Sequence, residues 1–293
     1  MKPKKRRLKY ITILPAFVTL INGACGFISI LFTSRNRELR WSFFFPAGFD
    51  VSYFTLAGYM IILAMIADML DGRLARLTRT TSSFGGQLDS LTDVISFGAA
   101  PAFLMLKLVE TYMDRLEFDS FRFSTLIERS IFFAAILYVM CAVVRLARFN
   151  VENAEDESAH MNFAGLPSPA SAGVVVSFVI LHEYLLSIMG DGSPEVFDTL
   201  GIMTIAVLPL VTFFVSLLMV SRIRYPHLAN QLLRGKKTLP ALLTIFACGL
   251  FIVWNIQLAM IFGFCGYMLF GFFRWVFVTL AKKLPSKQKT LTL

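Results

Sequence analysis

Eight apolar stretches, each close to the ~20 residues that carry a helix across a bilayer, occupy most of this 293-residue chain. They run over 11–33, 52–71, 87–107, 130–149, 167–187, 199–220, 238–256 and 258–280, the last two being divided at Asn255 and Gln257. In hydrocarbon no water satisfies an exposed backbone N–H or C=O, so such stretches satisfy them internally as helices. The expectation is an all-α, polytopic membrane protein with about eight transmembrane helices. One domain covers 1–293, with a basic N-terminal segment at 1–10 and a basic tail at 282–293. The composition agrees, with 56% hydrophobic and only 16% charged residues and a mean hydropathy of +0.67.

The net charge of +9 is distributed as topology. With the N-terminus inside, the segments 1–10, 72–86, 145–148, 222–237 and 282–289 hold twenty Lys and Arg, against seven in the intervening outside segments. Positive charge accumulates on cytoplasmic loops, so both termini are expected in the cytoplasm of a cell, most simply at a bacterial inner membrane. The same pattern suits anionic lipid, and no motif for nucleic acid accompanies it. The basic start of the chain resembles the charged region of a signal peptide. The apolar run behind it is too long and lacks a small-residue cleavage site, so it reads as a retained first helix. Cys25, Cys141, Cys248 and Cys265 lie in apolar stretches without C-x-x-C spacing and read as buried free thiols. His160, His182 and His227 show no metal-ligand spacing.

Between the second and third stretches stands D-M-L-D-G-R-L-A-R-L-T-R-T-T-S-S-F-G-G-Q-L-D-S-L-T-D, residues 68–93. Asp68 and Asp71 are three apart and Asp89 and Asp93 four apart, so each pair shares a helix face. A turn-prone stretch through Gly86 joins the two helices, which are therefore expected to be antiparallel neighbours with their aspartates facing. Four carboxylates so close repel unless a cation compensates. All-oxygen clusters suit hard cations, here Mg²⁺ or Mn²⁺, and two such ions would form a clamp of the kind used on phosphate esters. Gly72 lets a ligand approach the backbone, and Arg76 can offer a bidentate fork to phosphate. An aspartate not consumed by metal can accept a proton from a hydroxyl nucleophile, and Asp93, one turn deeper than Asp89, is the candidate. Acids at a membrane helix end imply a substrate with a polar head and a lipid tail.

The pattern Asp68-x-x-Asp71-Gly72-x-x-Ala75-Arg76, eight residues, then Gly85-x-x-x-Asp89-x-x-x-Asp93 resembles the motif of the CDP-alcohol phosphatidyltransferases at every fixed position. The resemblance implies a helical membrane enzyme, usually a homodimer, that moves a phosphatidyl group from a CDP-linked lipid to a small alcohol and releases CMP. It also implies roles: Asp68, Asp71 and Asp89 as metal ligands, Asp93 as shared ligand and proton acceptor, and Gly72, Arg76, Ser82 and Gly85 against the CDP-alcohol. P-A-F-V-T-L-I-N-G-A-C-G at 15–26, R-L-A-R-F-N at 145–150, F-A-G-L-P-S-P-A at 163–170 and S-R-I-R-Y-P at 221–226 are similar to the branch of the family that joins CDP-diacylglycerol to L-serine.

Four further residues carry two readings each. Arg145 and Arg148, three apart beside Asn150, either anchor a helix end or bind phosphate or the carboxylate of serine. Arg222 is an anchor or a site residue in the same sense. Asn22 is an amide in an apolar helix that must find a partner, either the nucleotide or a neighbouring helix. Two other functions stay open: a sister transferase acting on glycerol 3-phosphate or inositol phosphate, and a divalent-cation channel or transporter. A transporter calls for acids at mid-span on several helices, whereas these sit at one level on two.

Overall fold

The computed structural model describes residues 7–35, 51–78, 83–113, 121–155, 163–188, 194–225 and 255–283, and these form a helical bundle. Its elements are α1 (Arg7–Thr33), α2 (Tyr53–Thr78), α3 (Ser83–Asp93), a π-helical turn (Val94–Ala99) leading into α4 (Ala100–Met113), α5 (Phe121–Glu155), α6 (Ser168–Ile188), α7 (Pro194–Val220) and α8 (Ile256–Lys283). Among the described residues six segments are long and apolar enough to cross a membrane, together with a shorter apolar stretch, Ala206–Val220, inside α7. The expected span at 238–256 lies outside the described residues apart from its last two positions.

The bundle has an inside and an outside that the uniformly apolar sequence does not display. The segment of α3 and α4, and helix α6, are the inner ones, whereas α8 lies at the periphery with few of its residues buried. The core joins Ala57, Ile61 and Ala64 of α2 to Phe97, Leu104 and Leu108 of the α3–α4 segment and to Val175, Val176 and Ile180 of α6. Lipid is as apolar as leucine, so close packing of small and branched side chains, not water exclusion, favours these contacts. The alanines of α2 and the valines of α6 provide that packing. Phe262, Phe270, Phe273 and Phe277 of α8 remain exposed, as lipid-facing residues are.

Two helix ends differ from expectation. Gly85 and Gly86, read as a bend, fall in the first turn of α3. There the backbone N–H groups lack helical partners in any case, which lowers the cost of glycine. The fourth apolar stretch, bounded at 149, continues as α5 to Glu155. Asn150 ties this end to α3: its Nδ2 donates to Ser90 Oγ at 2.8 Å, and the Ser90 hydroxyl also lies 3.1 Å from Asn150 Oδ1.

A short antiparallel pairing, Phe163–Ala164 (β1) with Arg224–Tyr225 (β2), clasps the segment before α6 to the end of α7. The Gly165 N–H donates to the Ile223 carbonyl at 2.8 Å, and the Leu166 N–H to the Leu218 carbonyl at 3.0 Å. Gly165 has φ +89°, and a Cβ there would stand 2.1 Å from the Met219 carbonyl oxygen. Glycine is required on both counts. Gly165→Ala is expected to cost at least ~2 kcal/mol, from backbone strain and overlap together. A lowered thermal midpoint of the purified protein would report it.

Candidate active site

The site is assembled at the end of the bundle where α2 finishes, α3 begins, α5 finishes and α6 begins. Asp68 and Asp71 come from the last turns of α2, and Asp89 and Asp93 from α3, so the expected facing of the two pairs is present. One carboxylate oxygen from each of Asp68, Asp71 and Asp89 lies within 4.8 Å of the other two. Asp71 is only 5% exposed. Its Oδ2, like Oδ1 of Asp89, is buried with no hydrogen-bond partner. Orphaned carboxylate oxygens in so close a cluster of acids are unfavourable in themselves, and such a cluster is the ligand set a hard divalent cation requires. The residues present fit such an ion.

Asp93 stands beside this trio, 7% exposed and differently held. The Asn22 side-chain amide donates to its Oδ1 at 2.9 Å. Asn22 is fully buried in α1, so of its two readings the helix-bridging one is met by this contact. The backbone of α1 is anchored in turn, because the Ser96 hydroxyl donates to the Asn22 carbonyl at 2.9 Å. Gly26 makes that approach possible, since a Cβ there would lie 2.6 Å from the Ser96 Cα. Gly26→Val is expected to push α1 off the π turn, loosen the Asn22 contact and reduce turnover tenfold or more at unchanged expression. The loss is that of a hydrogen bond to a charged group. Thr19, one turn before Asn22 and buried with it, donates its hydroxyl to the Pro15 carbonyl at 3.0 Å and lies on the side of α1 near Asp71.

The π turn begins immediately after Asp93, with Ala100 N–H bonding the Ile95 carbonyl. Such wide turns occur frequently at functional sites. The Phe97 carbonyl within it accepts a hydrogen bond from the buried Tyr138 hydroxyl of α5 at 3.1 Å. Seven residues on along α5, Arg145 is 9% exposed and donates a hydrogen bond to Ser168 Oγ at the start of α6. Asp68, Asp93, Tyr138 and Tyr267 all lie within electrostatic range of the guanidinium.

The remaining expected site residues are placed as follows. Gly72 and Gly85 are partly buried in α2 and α3, and Arg148 is half-buried one turn beyond Arg145. Arg222 is exposed beside the β1–β2 clasp. Arg76 lies on α2, but its side chain falls outside the described residues, as does Ser82 altogether. Cys25 and Cys141 are buried free thiols, as expected; Cys265 is a free thiol but only partly buried, and Cys248 lies outside the described residues. His182 packs edge-on against Tyr112 at 4.6 Å, roughly 20 Å along α6 from Ser168. His160 and His227 are outside the described residues.

Thr19, Ser96, Tyr138 and Ser168 were not singled out from the sequence. Thr19 and Ser96 had a usable signal, being three residues from Asn22 and Asp93 on the same helix faces. Tyr138 and Ser168 had none, because their roles depend on contacts between helices.

The family model for CDP-alcohol phosphatidyltransferases matches residues 12–279. The chain belongs to that family. Among curated proteins, it is 31% identical over 261 residues to the CDP-diacylglycerol–serine O-phosphatidyltransferase of Helicobacter pylori strain J99, covering 89% of this chain and 95% of that protein. A Methanocaldococcus jannaschii protein of the same name is 29% identical over 217 residues, covering 74% of this chain and 75% of that protein. The archaetidylserine synthase of Methanothermobacter thermautotrophicus is 31% identical over 216 residues, or 73% and 70% of the two chains. In a CDP-alcohol phosphatidyltransferase the acidic cluster has the composition of a divalent-metal site, and the polytopic helical fold places it in a membrane protein.

Proposed function

We propose that this phosphatidyltransferase transfers the phosphatidyl group of CDP-diacylglycerol to the hydroxyl of L-serine, yielding phosphatidylserine and CMP at the cytoplasmic face of the cell membrane. The observation that carries the reading is the juxtaposition of three clustered carboxylates, a separately held Asp93 and one buried guanidinium. The names of the relatives support serine as the acceptor. The excess of basic residues on the loops at this end supports the cytoplasmic side.

Asp68, Asp71 and Asp89 would hold the metal, with Asp93 at its edge. One or two Mg²⁺ or Mn²⁺ ions bound there supply charge neutralisation for the carboxylates and for the diphosphate. Gly72 and Gly85 leave backbone open to the CDP moiety, and Arg76 and Ser82 contact it. Asp93 takes the proton of the serine hydroxyl, with Asn22 fixing one of its oxygens so that the other faces the nucleophile. The serine oxygen forms a bond to the phosphorus that carries diacylglycerol, and the bond from that phosphorus to the CMP oxygen breaks. Arg145, with Arg148 behind it, pairs with the serine carboxylate and so sets the hydroxyl at attacking distance. Arg222 contributes positive potential at the mouth.

Purified protein given CDP-diacylglycerol and Mn²⁺ or Mg²⁺ is expected to release CMP when offered serine, and not when offered glycerol 3-phosphate or inositol phosphate. Release with either phosphate instead would keep the aspartate chemistry and overturn the acceptor.

A further inference from the structure

Arg145 sits among opposite charges without pairing to them. Among the described residues its guanidinium hydrogen-bonds Ser168 and neither Asp68 nor Asp93, although both carboxylates are within electrostatic range. Its Nε is buried and has no partner. Left to itself, a guanidinium so placed would turn and close on a carboxylate, because the bidentate pair is its strongest contact. Closure would occupy oxygens that the metal and the proton transfer need. The surroundings limit other movements. Tyr138 on one side is pinned to the Phe97 carbonyl, and Tyr267 of α8 borders the group as well. Ser168 is held in place as the first residue of α6, two residues beyond Leu166, whose N–H is bonded to α7.

We propose that Ser168 is a positioning residue that holds Arg145 off the aspartates and thereby maintains a donor site for a single carboxylate on the acceptor. The proposal rests on the serine reading above and adds the reason for selectivity. With one face committed to Ser168, the guanidinium offers its remaining donors, Nε among them, to one monoanionic group. A phosphate acceptor would call for a second buried cation beside it. Arg148 is only half-buried and Arg222 is exposed, so neither is built in as Arg145 is.

The test is kinetic and uses the full-length protein with Ser168→Ala and Ser168→Thr. Ser168→Ala is expected to raise KM for serine about tenfold to a hundredfold, the effect of losing a hydrogen bond to a charged group. KM for CDP-diacylglycerol should stay within about twofold. The same variant should bind Mn²⁺ several-fold more weakly without substrates, because Arg145 then competes for Asp68, a member of the ligand trio. Ser168→Thr, which keeps the hydroxyl, should restore both values. If Ser168→Ala does not fold, Ser168→Cys, close in volume but a weak acceptor, replaces it with the same expectations. A folded variant with wild-type KM for serine and wild-type Mn²⁺ affinity overturns the proposal, and so does a uniform rise in both KM values. Wild-type protein that uses an acceptor other than serine defeats the functional reading alone, and the Mn²⁺ shift then still decides the role of Ser168.

Discussion

Asp71→Asn is expected to lower CMP release by at least about a thousandfold, since a lost ligand forfeits several kcal/mol of charge stabilisation. The fold should not suffer. Asp71 is buried among other carboxylates with an unpartnered oxygen, so the substitution relieves repulsion and inserts a near-isosteric amide. The metal-free variant should therefore melt no lower than the metal-free wild type. Added Mn²⁺ should raise the wild-type midpoint by mass action and leave that of the variant in place. Thermal melts with and without Mn²⁺, beside single-turnover CMP release, separate a ligand from a merely structural carboxylate. A variant stabilised by Mn²⁺ as strongly as wild type would remove Asp71 from the ligand set.

The second large effect is at Asp93. Asp93→Asn should reduce turnover by about 10²- to 10⁴-fold, the usual contribution of a positioned base. It should leave KM for CDP-diacylglycerol and the Mn²⁺-dependent rise in melting midpoint nearly unchanged. The Asn22 amide can still donate to the oxygen of the new side chain, so the local geometry survives. This contrast with Asp71→Asn distinguishes the two kinds of aspartate. An Asp93→Asn enzyme of near-normal activity would assign the proton to another acceptor.

The helices and the acidic cluster were legible in the sequence for a simple reason. Membrane solubility writes each span as a long apolar run, and helical spacing writes each acidic pair as i, i+3 or i, i+4. What stayed hidden was fixed by contacts between helices. Overall apolarity does not mark α6 as an inner helix and α8 as a peripheral one, since both are predominantly apolar. The π turn after Asp93 has no composition of its own, and its partner Tyr138 is 41 residues from Phe97. Asn22 had two readings because an amide in an apolar helix announces a need without naming the partner, which lies 71 residues away. Gly85 and Gly86 suggested a bend on propensity, whereas their place at a helix N-terminus removes most of the penalty.

Metal-dependent transfer to serine by this site leaves a direct chemical signature. The direct measurement is the movement of label from radioactive L-serine into lipid by the purified protein, with CDP-diacylglycerol present and CMP followed in parallel. Label should enter lipid in equal amount to the CMP released, stop on chelation, and return when Mn²⁺ or Mg²⁺ is restored. Lipid that stays unlabelled while CMP appears, or transfer that continues undiminished in excess chelator, would contradict it.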